Sequence, residues 1–416
     1  MNKSHSNWKE YSFKDFCDIT SSKRIFYREY VKSGVPFYRS KEIIAKSNGK
    51  ELNDCLYISK DRFEEIKNKY GIPINGDILI TAVGTYGIPY LINEDGDFYF
   101  KDGNLIWLKN IKNTANNKFL FYWLKSEEAK NKIEKIIIGS VQKALTIDAM
   151  KNIKINLPPL AEQKRIASIL SSFDDKIELN NKTNKILEEM AQTIFEEWFI
   201  NFNFPNEDGK PYKKSGGEMI GSELGGIPKG WKIITLKDII NITKGKKPTA
   251  TSDKITKKFT MPYLTIDCYN NEKSEYAEYN EKMHVKELDI VMIMDGNAGR
   301  IFYGKEGILS STMAKFVIED ENLNEIVFNF LKSIEYDLMY HTVGSVIQHA
   351  DKQYILNKKF CVPEDNLKRL SDIFEEIRRK VALNKKENQK LSGIRDSLLP
   401  KLMNPKGRRA DGRFRI

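Results

Sequence analysis

Reactive side chains are scarce in this chain. It has four histidines in 416 residues, His5, His284, His341 and His349, and no two stand at a spacing suited to a metal site or to general-base work. Four cysteines, Cys17, Cys55, Cys268 and Cys361, are scattered without a CxxC pair. That argues against a zinc site or a disulfide framework and leaves free buried thiols. No apolar run approaches the roughly 18 to 20 residues needed to span a bilayer. The opening MNKSHSNWKE lacks a hydrophobic segment of the signal-peptide kind, so a soluble, cytoplasmic chain with no membrane partner is expected.

Catalytic motifs are missing as well. Gly49-Lys50, Gly245-Lys246 and Gly304-Lys305 lack the rest of a GxxxxGK[ST] phosphate loop, and there is no HExxH or GxSxG. Leu157-Pro158-Pro159-Leu160 has the double proline of an amino-methyltransferase loop but neither its Asn or Asp nor its aromatic. No glycine-rich S-adenosylmethionine loop follows a strand. The expectation is a chain without catalytic residues, bound metal or cofactor of its own.

What is present is length, charge and repetition. A chain of 416 residues fits two or three domains, and 40% hydrophobic with 11% aromatic residues is enough for real cores. The formal net charge of +11 points to a polyanionic partner, nucleic acid or an anionic surface. The two halves repeat in order. Trp8-Lys9 and Phe13-Lys14-Asp15-Phe16 resemble Trp231-Lys232 and Leu236-Lys237-Asp238-Ile239. Val35-Pro36-Phe37-Tyr38 matches Met261-Pro262-Tyr263-Leu264. Gly76-Asp77-Ile78-Leu79-Ile80 matches Leu288-Asp289-Ile290-Val291-Met292, and each is followed by a glycine turn, 83–87 and 295–299. Gly139-Ser140-Val141 returns as Gly344-Ser345-Val346, and Leu157-Pro158 as Val362-Pro363. A period near 200 residues is too long for a solenoid and means two copies of one domain-plus-helix unit. Residues 78–82 and 290–294 read as strands ending in turns, 119–135 and 327–341 as short helices, and the Gly-, Pro- and Ser-rich 204–230 as an exposed linker.

Each half closes on a long charged amphipathic stretch that begins at Pro158-Pro159 or Pro363, where a first turn tolerates proline. In the first, which should run to about Phe199, apolar residues recur in steps of four and three: Ile166, Leu170, Phe173, Ile177, Leu187, Ala191, Ile194 and Trp198. In the second they are Leu370, Phe374, Ile377, Val381, Leu391, Leu398 and Leu402, with an imperfect position near Ile394-Arg395. The gaps fall on Asn180 and Asn184, and on Asn384 and Asn388. This is a heptad pattern, and asparagine at a seam costs stability but fixes register. The alternative is a helix packed on a globular core. Two like units paired about a two-fold axis make the helices antiparallel. Ile166 to Trp198 spans roughly 50 Å at 1.5 Å per residue, on the order of one and a half turns of DNA at about 34 Å per turn. Such a ruler would suit a split site with an unread spacer.

The loops carry groups suited to DNA. Lys23, Arg24, Arg39 and Lys41 flank Tyr38, and Lys244, Lys246 and Lys247 precede Thr249. Thr85-Tyr86, Asn297 with Arg300, Gln142-Lys143 and Gln348-His349 recur at equivalent places. Lysine and arginine neutralise phosphates, while Arg, Asn and Gln read base edges. Taken singly, each is better read as a solvated surface residue; as a paired set they carry more weight as candidate DNA contacts. The tail cations Lys406, Arg408, Arg409, Arg413 and Arg415 would add phosphate contacts or form a loose end.

The stretch from Ile155-Asn156-Leu157-Pro158-Pro159-Leu160-Ala161-Glu162-Gln163 to Ile166 resembles the opening of the central region of type I restriction-modification specificity subunits. Phe173-Asp174-Asp175-Lys176-Ile177 and Met190-Ala191-Gln192 to Trp198-Phe199 continue the match, and the turn from Gly76 to Gly87 resembles that family's recognition-domain signature. Leu398-Leu399-Pro400-Lys401-Leu402 resembles its C-terminal helix end. The resemblance implies an α+β protein: two α/β target recognition domains in a pseudo-two-fold arrangement, separated by two long antiparallel helices forming a coiled coil. The expected divisions are 1–157, recognition domain; 158–203, helix; 204–230, linker; 231–362, recognition domain; 363–403, helix; and 404–416, basic tail. The resemblance further implies a non-catalytic subunit that reads an asymmetric bipartite site on double-stranded DNA. It would dock two modification subunits, which carry the adenine methyltransferase and S-adenosylmethionine, and restriction subunits that use ATP and Mg. Val362-Pro363-Glu364-Asp365-Asn366 departs from the first copy's wording, as does the ending after Met403.

Two other readings stay open on the residues alone. One is a piece of a fused restriction or methyltransferase enzyme, which an activity assay on the chain would reveal. The other is a coiled-coil scaffold without DNA contact, which a salt-dependent gel shift would decide.

Overall fold

The computed structural model describes residues 7–49, 52, 54–93, 96–138, 143–270, 275–344, 348–365 and 367–404. Gln142, Gly139-Ser140-Val141, Ser345-Val346, His5, Asn366 and the tail cations from Lys406 to Arg415 lie outside them. The chain divides into two compact units, 1–178 with 389–416, and 179–388.

Each unit is closed by a strand that enters it and a strand that leaves it. Lys9–Ser12 pairs antiparallel with Lys154–Leu157 in the first, and Trp231–Thr235 with Lys359–Pro363 in the second. The main sheet of the first unit contains β1 (Asp18–Thr20), β2 (Ile78–Thr81), β3 (Pro89–Leu91) and β4 (Leu105–Lys109), in the order β1-β4-β2-β3. The second unit has β5 (Ile240–Lys244), β6 (Ile290–Ile293), β7 (Ile301–Phe302) and β8 (Met313–Ile318), in the order β5-β8-β6-β7. The connectivity is identical and all pairings are antiparallel. Beside each lies a second sheet built around a parallel pair, Phe37-Tyr38 on Tyr99-Phe100 in one and Tyr263-Leu264 on Ile308-Leu309 in the other.

This layering explains the apolar runs. Strand side chains alternate between faces. Ile78 and Ile80 enter the core shared with helix Asn117–Lys125, while Leu79 enters the core with Tyr38 and Phe100. Ile290 and Met292 likewise face one core and Val291 and Ile293 another. A strand covered on both sides has no polar face to show. The repeated aspartate before each strand closes a turn: Asp77 accepts the Ile74 N–H at 3.2 Å and Asp289 the Lys286 N–H at 2.8 Å. Asp77 also accepts the Trp107 indole at 2.8 Å, and burial raises its carboxyl above the ordinary range.

Two expectations change. The helix expected over 119–135 is two, Asn117–Lys125 and Glu127–Glu134, because Ser126 turns extended and its hydroxyl caps the second by accepting the Ala129 N–H. Its counterpart is also split, into Asn324–Ser333 and Glu335–Tyr340. Segment 204–230 is not a bare linker. It holds a hairpin, Met219–Ser222 on Gly225–Pro228, and Phe204 stacks on Trp231 with ring centres 4.9 Å apart.

The long helices are α1 (Leu160–Phe195), which loosens into a wider turn over Glu196–Ile200, and α2 (Leu367–Leu402). The start of α1 is fixed by Gln163. Its buried amide accepts the Asn116 N–H at 2.8 Å and donates to the carbonyls of Thr114 and Pro158 at 3.0 and 2.8 Å. One amide thus ties the cap of helix Asn117–Lys125 and the loop before it to the strand end that leads into α1, which gives the glutamine of the Pro-Pro-Leu-Ala-Glu-Gln stretch a structural job.

Candidate nucleic-acid interface

Antiparallel pairing brings the end of β1, the end of β2 and the start of β4 to one edge of the first main sheet. The Ala82 N–H donates to the Asn104 carbonyl at 2.8 Å, and the Ser21 hydroxyl to the Leu105 carbonyl at 2.9 Å. Residue 83 bridges Ala144, and the Leu145 N–H donates to the Ala82 carbonyl at 2.8 Å, which holds Lys143 beside the 83–87 turn. The second unit repeats this edge. Asp295 bridges His349, and the Ala350 N–H donates to the Met294 carbonyl at 2.8 Å. The strand pairings make Thr85 the counterpart of Asn297, Lys143 of Gln348, and Lys23-Arg24 of Lys246-Lys247.

Most of the expected DNA contacts stand exposed at these edges: Lys23, Arg24, Thr85 and Lys143 in the first unit, and Lys246, Lys247, Thr249, Asn297, Arg300, Gln348 and His349 in the second. Several have local partners. Arg24 pairs with Asp102 at 2.9 Å, and the Lys23 ammonium sits 4.8 Å from the Tyr70 ring centre. Lys41 lies 3.5 Å from Glu42 and 3.7 Å from Asp54. Arg39 pairs with Glu42 at 2.7 Å; burial alone would raise that carboxyl, but the hydrogen bonds from Arg39 hold it below the ordinary range. Tyr86 is half-buried against the core. Tyr38 is a correction. It is 5% exposed and stacks on Phe98 with centres 4.7 Å apart, because the parallel strand pair turns it inward, so its ring belongs to the core and not to the exposed edge. Phe26 and Tyr27, beside Arg28, are large exposed side chains that no sequence period marks.

The seam residues fall into three groups. Ile166 and Leu170 are buried in the core of the first unit with Leu402, while Phe374 and Val381 are buried in that of the second, so at those ends the helices pack on globular domains. Phe173, Ile177, Leu187, Ile377 and Leu391 are half-buried. The asparagines pair. In the second unit the Asn180 amide donates to Asn388 at 2.8 Å and the Asn384 amide to Asn184 at 2.7 Å, so α1 and α2 run antiparallel there. The Asn388 amide in turn donates to Asn181 at 2.8 Å. In the first unit Arg395 takes the irregular seam position, bonded to Asp174, and leaves Ile394 47% exposed. Asp174 also accepts the Tyr122 hydroxyl at 2.6 Å.

The type I restriction modification DNA specificity domain family matches this chain twice, over residues 5–189 and 228–392. The chain belongs to that family. It is 27% identical over 314 residues to the type I restriction enzyme MjaIX specificity subunit of Methanocaldococcus jannaschii, covering 70% of this chain and 69% of that one. It is 24% identical over 473 aligned positions to the type I restriction enzyme HindI specificity subunit of Haemophilus influenzae, covering 96% and 99%. Its fold is similar to that of the crystal structure of a type I restriction-modification S subunit from M. genitalium, with a TM-score of 0.58, 18% identity and 97% of each chain covered. In this specificity-domain protein no described group of three or more His, Cys, Asp or Glu residues could hold a metal ion, and no described helix is long and apolar enough to cross a membrane.

The exposed lysine pair of the second edge gives a direct test. Lys246→Ala with Lys247→Ala should flatten the slope of log affinity against log salt by about 2. At about 0.15 M salt the same counterion arithmetic gives roughly thirtyfold weaker DNA binding. Fluorescence anisotropy across a salt series, with partner subunits present, reads both.

Proposed function

We propose that this specificity subunit reads an asymmetric bipartite DNA site with an unread spacer, one part per unit, and has no catalysis of its own. It docks two modification subunits, which carry the adenine methyltransferase and S-adenosylmethionine. Restriction subunits that hydrolyse ATP with Mg join the same complex. One observation carries the reading: the same sheet edge is built twice with the same connectivity but with different side chains, Thr85 and Lys143 in one and Asn297 and Gln348 in the other. A shared scaffold with unlike edges suits two unlike half-sites. The exposed cations hold phosphates, and the uncharged polar groups read bases. The chain alone should bind DNA weakly, without sequence preference and with steep salt dependence.

Genome-wide mapping of methylated adenine, with and without this gene in cells that make the partner subunits, tests the reading. A two-part motif should vanish on deletion. An unchanged set of methylated motifs would refute it.

A further inference from the structure

Three positions of the second edge hold a charged cluster where their counterparts in the first hold uncharged side chains. Asp295 opens the glycine turn after β6. Its carboxylate receives the Lys244 ammonium at 2.9 Å and His349 Nδ1 at 2.7 Å. Burial alone would raise the Asp295 carboxyl, but the hydrogen bonds from His349 and Lys244 hold it below its ordinary range. The strand and bridge registers place Val83, Ala144 and Ser21 at the same positions in the first unit, none of which ionises.

An ionised carboxylate only accepts, so Nδ1 is the nitrogen that carries the proton. Nε2 then stands on the far side of a ring whose side chain is 49% exposed, and it has no partner among the described residues. The charges facing the ring are Asp295 from the turn and Lys244 from the end of β5. On its own segment, the Asp351 carboxylate is engaged in capping helix Lys352–Leu356 through the Gln353 and Tyr354 N–H groups. A phosphate-lined partner favours the charged form of an imidazole.

We propose that Asp295 is a positioning residue that aims the His349 imidazole at DNA, and that the second unit takes up a proton there on binding. The charged Nε2–H donates to an acceptor on the duplex, either a guanine edge or a phosphate oxygen. The inference rests on the reading of this edge as a DNA interface.

The test is DNA affinity of the complete complex at about pH 6 and about pH 8. Two duplexes are compared, one with the motif found by methylation mapping and one without it. The wild-type complex should bind the target about fivefold more tightly at the lower pH, because the duplex favours the charged ring. His349→Gln should abolish that ratio. Asp295→Asn should also flatten it, while Asp295→Glu, which keeps a carboxylate for Nδ1, should retain it; a merely structural loss would weaken both conditions alike and would not be rescued by the conservative variant. A pH ratio confined to the target duplex assigns the contact to a guanine edge, and an equal ratio on both duplexes assigns it to phosphate. A His349→Gln complex with the wild-type pH ratio overturns the proposal. If Lys246→Ala with Lys247→Ala also leaves the salt slope unchanged, the interface itself has been misplaced; if that slope falls while the pH ratio persists, only the proton linkage is wrong.

Discussion

Replacing Arg378 by alanine is expected to destabilise the second unit by about 3–5 kcal/mol, the cost of leaving one partner of a buried ion pair alone. The Arg378 side chain is 2% exposed, bonded to Glu325 at 2.7 Å and to the Leu288 carbonyl at 2.9 Å. Its guanidinium lies over the Phe328 ring at 4.7 Å and near the Tyr303 ring at 5.6 Å. The pair joins α2 to helix Asn324–Ser333 beside a cavity of about 220 Å³ lined in part by Tyr303, Phe328, Lys332 and Lys385. Glu325 cannot turn to water once Arg378 is gone. Burial already raises its carboxyl above the ordinary range, and Arg378 is what opposes that shift. In the variant nothing opposes that shift, so the folded state would keep the Glu325 proton to higher pH than the unfolded chain does. The sign follows from the raised value: the deficit is largest above the carboxyl range and shrinks as pH falls towards it. Arg378→Met with Glu325→Leu removes both charges, fills similar volume and should recover most of the loss. Urea unfolding of the single and double variants at two pH values measures all of this. A single variant within about 1 kcal/mol of wild type would show that the pair is not holding the helices together.

Much of this protein was written in its sequence, and what was legible has a common cause. The runs 78–81 and 290–293 are apolar on both faces because a core lies on each side, and such a run cannot hide among polar neighbours. Asn180, Asn184, Asn384 and Asn388 stood out because they broke an apolar period at matching places, and they bond to one another across the helices. The two-copy plan was readable because strand, turn and helix signals came back in order. The illegible parts depend on contacts between segments distant in the chain. Arg378 follows Ile377 with no sequence signal of its own, yet it is buried because two aromatic rings from elsewhere close over it. Tyr38 looked like a surface aromatic among cations, yet its strand turns it against Phe98. Arg395 displaced Ile394 from the seam because Asp174 waited opposite. Asp295 and His349 are 54 residues apart, and no local period links them.

The central claim is that each unit reads its own half of one target. If so, exchanging residues 231–362 for the equivalent segment of a relative with a different methylation motif should replace one half of the motif completely and leave the other untouched. The argument is structural. The entering and leaving strands, Trp231–Thr235 and Lys359–Pro363, pair with each other, so the segment starts and ends at one place and carries its whole sheet edge with it. The partner asparagines of α1 and α2 lie outside the exchanged residues. Mapping methylated adenines in cells expressing the exchanged chain with its modification subunits gives the answer in one experiment. The account predicts a hybrid motif: the original first half, the original spacing and the relative's second half. A motif altered in both halves, or one that keeps the original second half, would contradict it.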